Sequence, residues 1–158
     1  MKKSVVSFLS AALLLSSLSS VALAEQSNVS PQGLITPKAV GADSGWQTQS
    51  NIRAKVYTNS TYYGAGSDTI TVTAEKSTVG AAYYSIYLMS DTQMVKVASG
   101  TLGSSVTHQV PKSSLNPILN QYSQGNFKVL LKIFAYGDWF TWLGDWETTN
   151  SFIAVRLD

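Results

Sequence analysis

The stretch Phe127-Lys-Val-Leu-Leu-Lys-Ile-Phe-Ala135 contains the longest alternation of apolar and other side chains in this sequence. Its apolar residues recur at every second position, which is the period of a β-strand with one face in the core. Shorter runs with the same period cover residues 52–57, 69–75, 82–88, 94–97, 106–110 and 152–157. No segment keeps a 3.6-residue period, and the one helical candidate, residues 113–121, is broken at Pro117. The pattern predicts an all-β chain.

The spacing of these runs indicates the architecture. Strands separated by turn signals about every 8–12 residues are typical of sandwiches and barrels. About seven strands within residues 45–158 predict a single antiparallel β-sandwich of immunoglobulin-like or fibronectin-like architecture. A small closed β-barrel is the alternative.

The first 44 residues have a different composition from the rest of the chain. Lys2 and Lys3, an apolar stretch over residues 5–18 and the triplet Ala22-Leu-Ala24 predict a secretory signal peptide at residues 1–24. Residues 25–44 contain two prolines and two glycines without a sustained period, which predicts a flexible N-terminal arm. We therefore expect a secreted, extracellular protein whose β-sandwich spans residues 45–158.

The charge and the absence of cysteine exclude several classes of function. The chain has 11 Lys and Arg against 9 Asp and Glu, and removal of Lys2 and Lys3 with the signal would leave it neutral. A neutral chain has no electrostatic footprint for nucleic acid. Without cysteine, the domain has no disulfide, no thiol nucleophile and no cysteine-ligated metal. We predict no cofactor, and the sequence does not indicate an oligomeric state.

Three of the four tryptophans lie within residues 139–146, and two Gly-Asp turn signals, at Gly137 and Gly144, directly precede Trp139 and Trp146. These signals predict either a short strand at residues 139–143 or a long hairpin tip at residues 137–145. Alternation places Trp139 and Trp142 on opposite sides, and we expect the Trp139 side to face the core and the Trp142 side to face solvent. The alternative is that all the rings cap the open end of the sandwich. The candidate ligand-binding residues are Tyr136, Asp138, Trp139, Phe140, Trp142, Asp145 and Trp146.

A row of exposed aromatic rings flanked by carboxylates suits carbohydrate. Indole rings stack on the apolar faces of sugar rings, while carboxylates accept hydrogen bonds from sugar hydroxyls. We therefore predict a non-catalytic binding protein whose partner is an extracellular polysaccharide or a cell-wall surface. The alternatives are a membrane-active or antimicrobial effector and a secreted enzyme inhibitor. A membrane partner is disfavoured because Asp138, Asp145 and Glu147 would repel anionic lipid.

The same sequence offers little for catalysis or metal binding. His108 is the sole histidine and lies in the alternating run at residues 106–110, where we expect a half-exposed structural role. Asp138, Asp145 and Glu147 form the one acidic cluster that could hold calcium or act as an acid and base pair. Asp after Gly is an ordinary turn residue, so we predict neither a catalytic site nor a metal site.

Overall fold

A computed structural model of the chain describes residues 41–120 and 122–157. In chain order, the strands are β1 (Gln47–Gln49), β2 (Ile52–Thr58), β3 (Tyr62–Tyr63), β4 (Thr69–Lys76), β5 (Ala82–Met89), β6 (Met94–Leu102), β7 (Ser105–Pro111), β8 (Gln124–Phe134), β9 (Trp142–Glu147) and β10 (Phe152–Val155). A 3₁₀ turn at Lys112–Leu115 and helix α1 at Asn116–Leu119 connect β7 to β8. The predicted signal peptide and residues 25–40 of the predicted arm lie outside the described residues.

These strands form two sheets, and the predicted antiparallel β-sandwich is confirmed. The four-stranded sheet has the order β1-β2-β4-β7, and the six-stranded sheet has the order β3-β10-β8-β5-β6 with β9 also paired to β8. All neighbours are antiparallel except β3 and β10, which run parallel. Strands β9 and β10 lie along the same edge of the long strand β8, and β9 pairs with its C-terminal half.

The core lies where the alternation predicts it. Phe127, Val129, Leu131 and Ile133 of β8 point inward and are buried against apolar side chains of both sheets.

The helical prediction at residues 113–121 needs one correction. Pro117 stands in the first turn of α1, where its missing N–H has no helical partner to lose, so it begins the helix instead of breaking it.

The boundary of the packed domain lies earlier than we expected. Ala42 and Ser44 are buried, although we assigned residues 25–44 to a flexible arm. Gly41 N donates to Thr58 O at 2.8 Å, and Ser44 N donates to Val56 O at 3.0 Å. Residues 41–44 therefore pack against β2 as part of the sandwich. Backbone hydrogen bonds hold them there, and such bonds do not require an alternation of apolar side chains that the sequence would show.

Side chains join the two sheets where β1 meets β9. The Gln49 amide donates through Nε2 to Asp145 O and accepts from Asp145 N at 3.2 Å through Oε1. It therefore pairs with the backbone of β9 as a neighbouring strand would. Gly144 makes this approach possible, because an added Cβ would lie 2.8 Å from Gln49 Oε1 and 2.9 Å from the Trp146 ring. The junction fixes β9, and with it the hairpin that carries the tryptophans.

Candidate functional site

The hairpin between β8 and β9 is shaped by Asp138. Its carboxylate accepts hydrogen bonds from Thr141 Oγ1 at 2.6 Å and from Phe140 N at 2.8 Å. The hydrogen bonds from Thr141 and Phe140 hold the pKa of Asp138 below its ordinary value. Gly137 adopts φ +85°, a left-handed conformation that favours glycine in a turn. Asp138 thus orders the loop at residues 135–141.

Trp139 lies on the outer face of the six-stranded sheet. Its ring stacks on Tyr83 of β5, with centroids 4.4 Å apart and planes 11° apart, and it also contacts the ring of Phe134 at 5.7 Å. Tyr83 alternates with the buried residues of β5, so it points away from the core. The expectation that Trp139 faces the core is therefore wrong, because the loop folds over the sheet and leaves Trp139 42% exposed. Tyr83 covers one face of a partly exposed indole.

Trp142 lies on the surface at the start of β9 and is 57% exposed. Its Nε1 donates to Asp145 Oδ1 at 2.8 Å, and the other oxygen of Asp145 accepts from Lys132 Nζ at 3.1 Å. Asp145 therefore stands on a strand and not in a second turn, and its carboxylate fixes the orientation of the indole. The second Gly-Asp pair belongs to β9, whose pairing with β8 shifts register between Ile133 and Phe134.

Two further aromatic side chains of the predicted set are exposed around the loop. Tyr136 is exposed, with its ring centroid 5.3 Å from that of Tyr83. Phe140 is 97% exposed. We call the four exposed side chains Tyr136, Trp139, Phe140 and Trp142, together with Tyr83 and Phe134 beside Trp139, the aromatic ledge.

Trp146 does not belong to this surface. It is fully buried in the core, and its Nε1 donates to Gln47 O of β1 at 3.0 Å. Its inclusion among the candidate binding residues was therefore wrong. Trp142 and Trp146 are four positions apart on one strand, a spacing that in a regular strand places both side chains on the same face. The pairing of β9 with β8 shifts register between these two residues, and Trp142 is exposed whereas Trp146 is buried.

Two lysines of β8, whose role the sequence did not reveal, pair with two of the three acidic residues near the aromatic ledge. Lys132 pairs with Asp145 at 3.1 Å, and Lys128 pairs with Glu147 at 2.8 Å across the β8–β9 ladder. The argument against anionic lipid counted those carboxylates without the lysines of the neighbouring strand, and so it overstated the negative charge. Such pairing between strands requires the register, which the sequence alone does not supply.

The candidate for catalysis, His108, has a structural partner. Its Nε2 lies 2.6 Å from the hydroxyl of Tyr84, a buried residue of β5 whose pKa is raised by burial. Within residues 41–120 and 122–157, no three His, Cys, Asp or Glu side chains come together as a metal-binding group. In the same part of the chain, none of the helices has the length and apolar character needed to cross a bilayer.

The fold and this surface define a β-sandwich domain that displays aromatic rings on the outer face of one sheet. Residues 39–154 match the family described as the YqgA MG2 macroglobulin domain. The match covers more than two thirds of the chain, and the chain belongs to this family. Comparisons with curated proteins and with solved structures gave no match.

Proposed function

We propose that this chain is a secreted, non-catalytic binding protein whose aromatic ledge binds carbohydrate at an extracellular or cell-wall surface. The observation that carries the proposal is that two exposed tryptophans are each held by a second residue. Tyr83 supports the ring of Trp139, and Asp145 bonds the Nε1 of Trp142. Rings fixed before binding lose little conformational entropy when a ligand arrives, which favours affinity.

The chemistry of the ledge supports carbohydrate as the ligand. A flat, partly exposed indole offers an apolar face on which a sugar ring can stack. Lys132 and Asp145 lie beside Trp142 and supply a donor and acceptors for sugar hydroxyls. Asp145 bonds the Trp142 ring and Lys132 bonds Asp145, so the positions of both polar groups are fixed before a ligand binds.

The electrostatics favour binding over glycoside hydrolysis. A general acid in a glycosidase needs a carboxyl group with a raised pKa. The hydrogen bonds from Thr141 and Phe140 instead lower the pKa of Asp138, which is ionised at neutral pH. The Asp145 carboxylate is paired with Lys132 and accepts a hydrogen bond from Trp142 Nε1, so both of its oxygens are already engaged.

Two independent considerations support the extracellular location in this proposal. Residues 1–24 have the composition of a secretory signal peptide. Macroglobulin-like domains, the class to which this family belongs, are often extracellular. N-terminal sequencing of the protein from culture medium, with Glu25 as the first residue, would support secretion, whereas recovery only from the membrane fraction with Met1 retained would oppose it.

The proposal is tested by retention of the purified domain on a panel of insoluble cell-wall and plant polysaccharides. Trp139→Ala and Trp142→Ala should each weaken binding about fivefold or more, because exposed anchor residues typically contribute about 1 kcal/mol or more. The matched control is Trp46→Ala, since Trp46 is similarly exposed but contacts Arg53 and Lys55 of β2 in the other sheet. Full retention of both folded ledge variants, or no retention of the wild type on any polysaccharide, would contradict the proposal.

One observation favours a lipid interface as a second candidate. Phe140 is 97% exposed in the hairpin loop, and Tyr136 and Trp142 beside it belong to the residue types that partition into the membrane interface. Co-sedimentation with phosphatidylcholine vesicles distinguishes the two functions. Vesicle binding that is lost in Phe140→Ser, without polysaccharide binding by the wild type, would establish the second candidate in place of the first.

A further inference from the structure

A lysine from a third strand stands beside the aromatic ledge. Lys96 of β6 is paired with Tyr87 of β5 and is exposed on the sheet that carries Tyr83. Its Nζ lies 5.9 Å from the centroid of the Trp139 ring. The ammonium therefore lies over the ring on which a sugar would stack, at cation–π distance.

Lys96 differs from the other two lysines of this surface. Lys128 and Lys132 each form a salt bridge with a carboxylate of β9. Among residues 41–120 and 122–157, no carboxylate lies within salt-bridge distance of Lys96 Nζ. Its positive charge is therefore available to a ligand, whereas the charges of Lys128 and Lys132 are already compensated.

The distance from Lys96 to the indole suits an acidic substituent on a stacked sugar. Atoms in contact with an aromatic ring lie about 3.5–4.0 Å from it, which places a stacked sugar at a height within reach of the ammonium. An anionic group at the edge of that sugar can then approach Nζ and form a charge-assisted hydrogen bond. A lysine acts as a point charge, so a carboxylate and a phosphate are both suitable anions.

We propose that the ledge prefers an acidic glycan, whose sugar ring stacks on Trp139 while its carboxylate or phosphate pairs with Lys96. This inference rests on the proposed carbohydrate-binding function and specifies the class of ligand. It also assigns a role in specificity to Lys96, a residue outside the β8–β9 hairpin.

The experiment compares polymers that share a backbone and differ in charge. Polygalacturonate is compared with its methyl ester, and phosphomannan with unphosphorylated mannan, by titration of the full domain. We expect at least one acidic polymer to bind about threefold more tightly than its neutral counterpart, since exposed ion pairs have modest strength. Raising the salt concentration from about 0.1 M to about 1 M should remove the difference by screening. A difference in affinity within the polygalacturonate pair would indicate a carboxylate ligand, and one within the mannan pair would indicate a phosphate ligand.

Lys96→Gln should bind the acidic and the neutral polymer equally, while Arg53→Gln should keep the preference. The control removes the same charge from the four-stranded sheet. Equal binding of acidic and neutral polymers by the wild type, with sensitivity to Trp139→Ala, would overturn the acidic preference and leave the proposed function standing. A preference that survives Lys96→Gln would also overturn it. Failure to bind any of the four polymers, or other polysaccharides, would refute the proposed function itself.

Discussion

Replacing Trp146 with alanine tests the division of the three clustered tryptophans into core and surface. Trp146 is 0% exposed and lies against Gly144 and the Gln49 side chain, where β9 meets β1. Truncation of a buried tryptophan costs about 3–5 kcal/mol through lost burial and the cavity left behind. The hydrogen bond from Nε1 to Gln47 O is lost as well, but Gln47 is only half-buried, so its carbonyl adds no more than about 1 kcal/mol.

This cost is a large share of the about 5–15 kcal/mol that stabilises a typical domain. At about 4 °C per kcal/mol for a domain of this size, the Tm of Trp146→Ala should fall by about 12–20 °C. Urea unfolding followed by circular dichroism gives the free energy, and Trp142→Ala measured in parallel should remain within about 1 kcal/mol of the wild type. A Trp146→Ala variant as stable as the wild type, or a Trp142→Ala variant that unfolds, would refute the division.

Three other substitutions test the junction, the buried hydrogen bond and the loop. Gly144→Ala should cost about 1–3 kcal/mol in urea unfolding because its Cβ would overlap Gln49, and an unchanged midpoint would contradict that contact. His108→Ala should lower the free energy of unfolding by about 1–3 kcal/mol, because it leaves the Tyr84 hydroxyl without its partner. Polysaccharide binding should persist in this variant. Loss of a function in the folded variant would instead indicate a catalytic histidine. The lowered pKa of Asp138 means that its stabilisation of the loop is complete above the ordinary pKa and is lost as pH falls through the lower folded pKa. The midpoint of the pH-dependent change in the loop amide shifts should therefore lie below the ordinary pKa of aspartate, and the change should be absent in Asp138→Asn. A midpoint at the ordinary pKa would count against the hydrogen bonds described.

The strands that were predictable are those that bury one face. Apolar side chains recur at every second position of residues 127–133 because the core requires them there, so the strand can be recognised from the sequence. Strands β1 and β3 are two or three residues long and mostly unburied, so no alternation could reveal them. The same limitation hid residues 41–44, which are held largely by backbone hydrogen bonds.

The candidate site was predictable as a segment but not as a surface. The density of tryptophan and the Gly-Asp turn at Gly137 identify the hairpin, because both follow from local chemistry. The positions of Trp139 and Trp146 depend on the register of β8 with β9 and on how the loop folds over β5. Those long-range relations decide which indole is buried, and they also bring Lys96 to the ledge.

The central claim is that glycan binds on the exposed tryptophans of the ledge, and tryptophan fluorescence during a titration tests it most directly. We expect saturating polysaccharide to change the emission of the wild type. The change should disappear in the folded double variant Trp139→Phe/Trp142→Phe and persist in Trp46→Phe, whose indole lies beside Arg53 and Lys55 of the other sheet. An emission change that persists in the double variant and disappears in Trp46→Phe would contradict the account and move the binding surface to the four-stranded sheet.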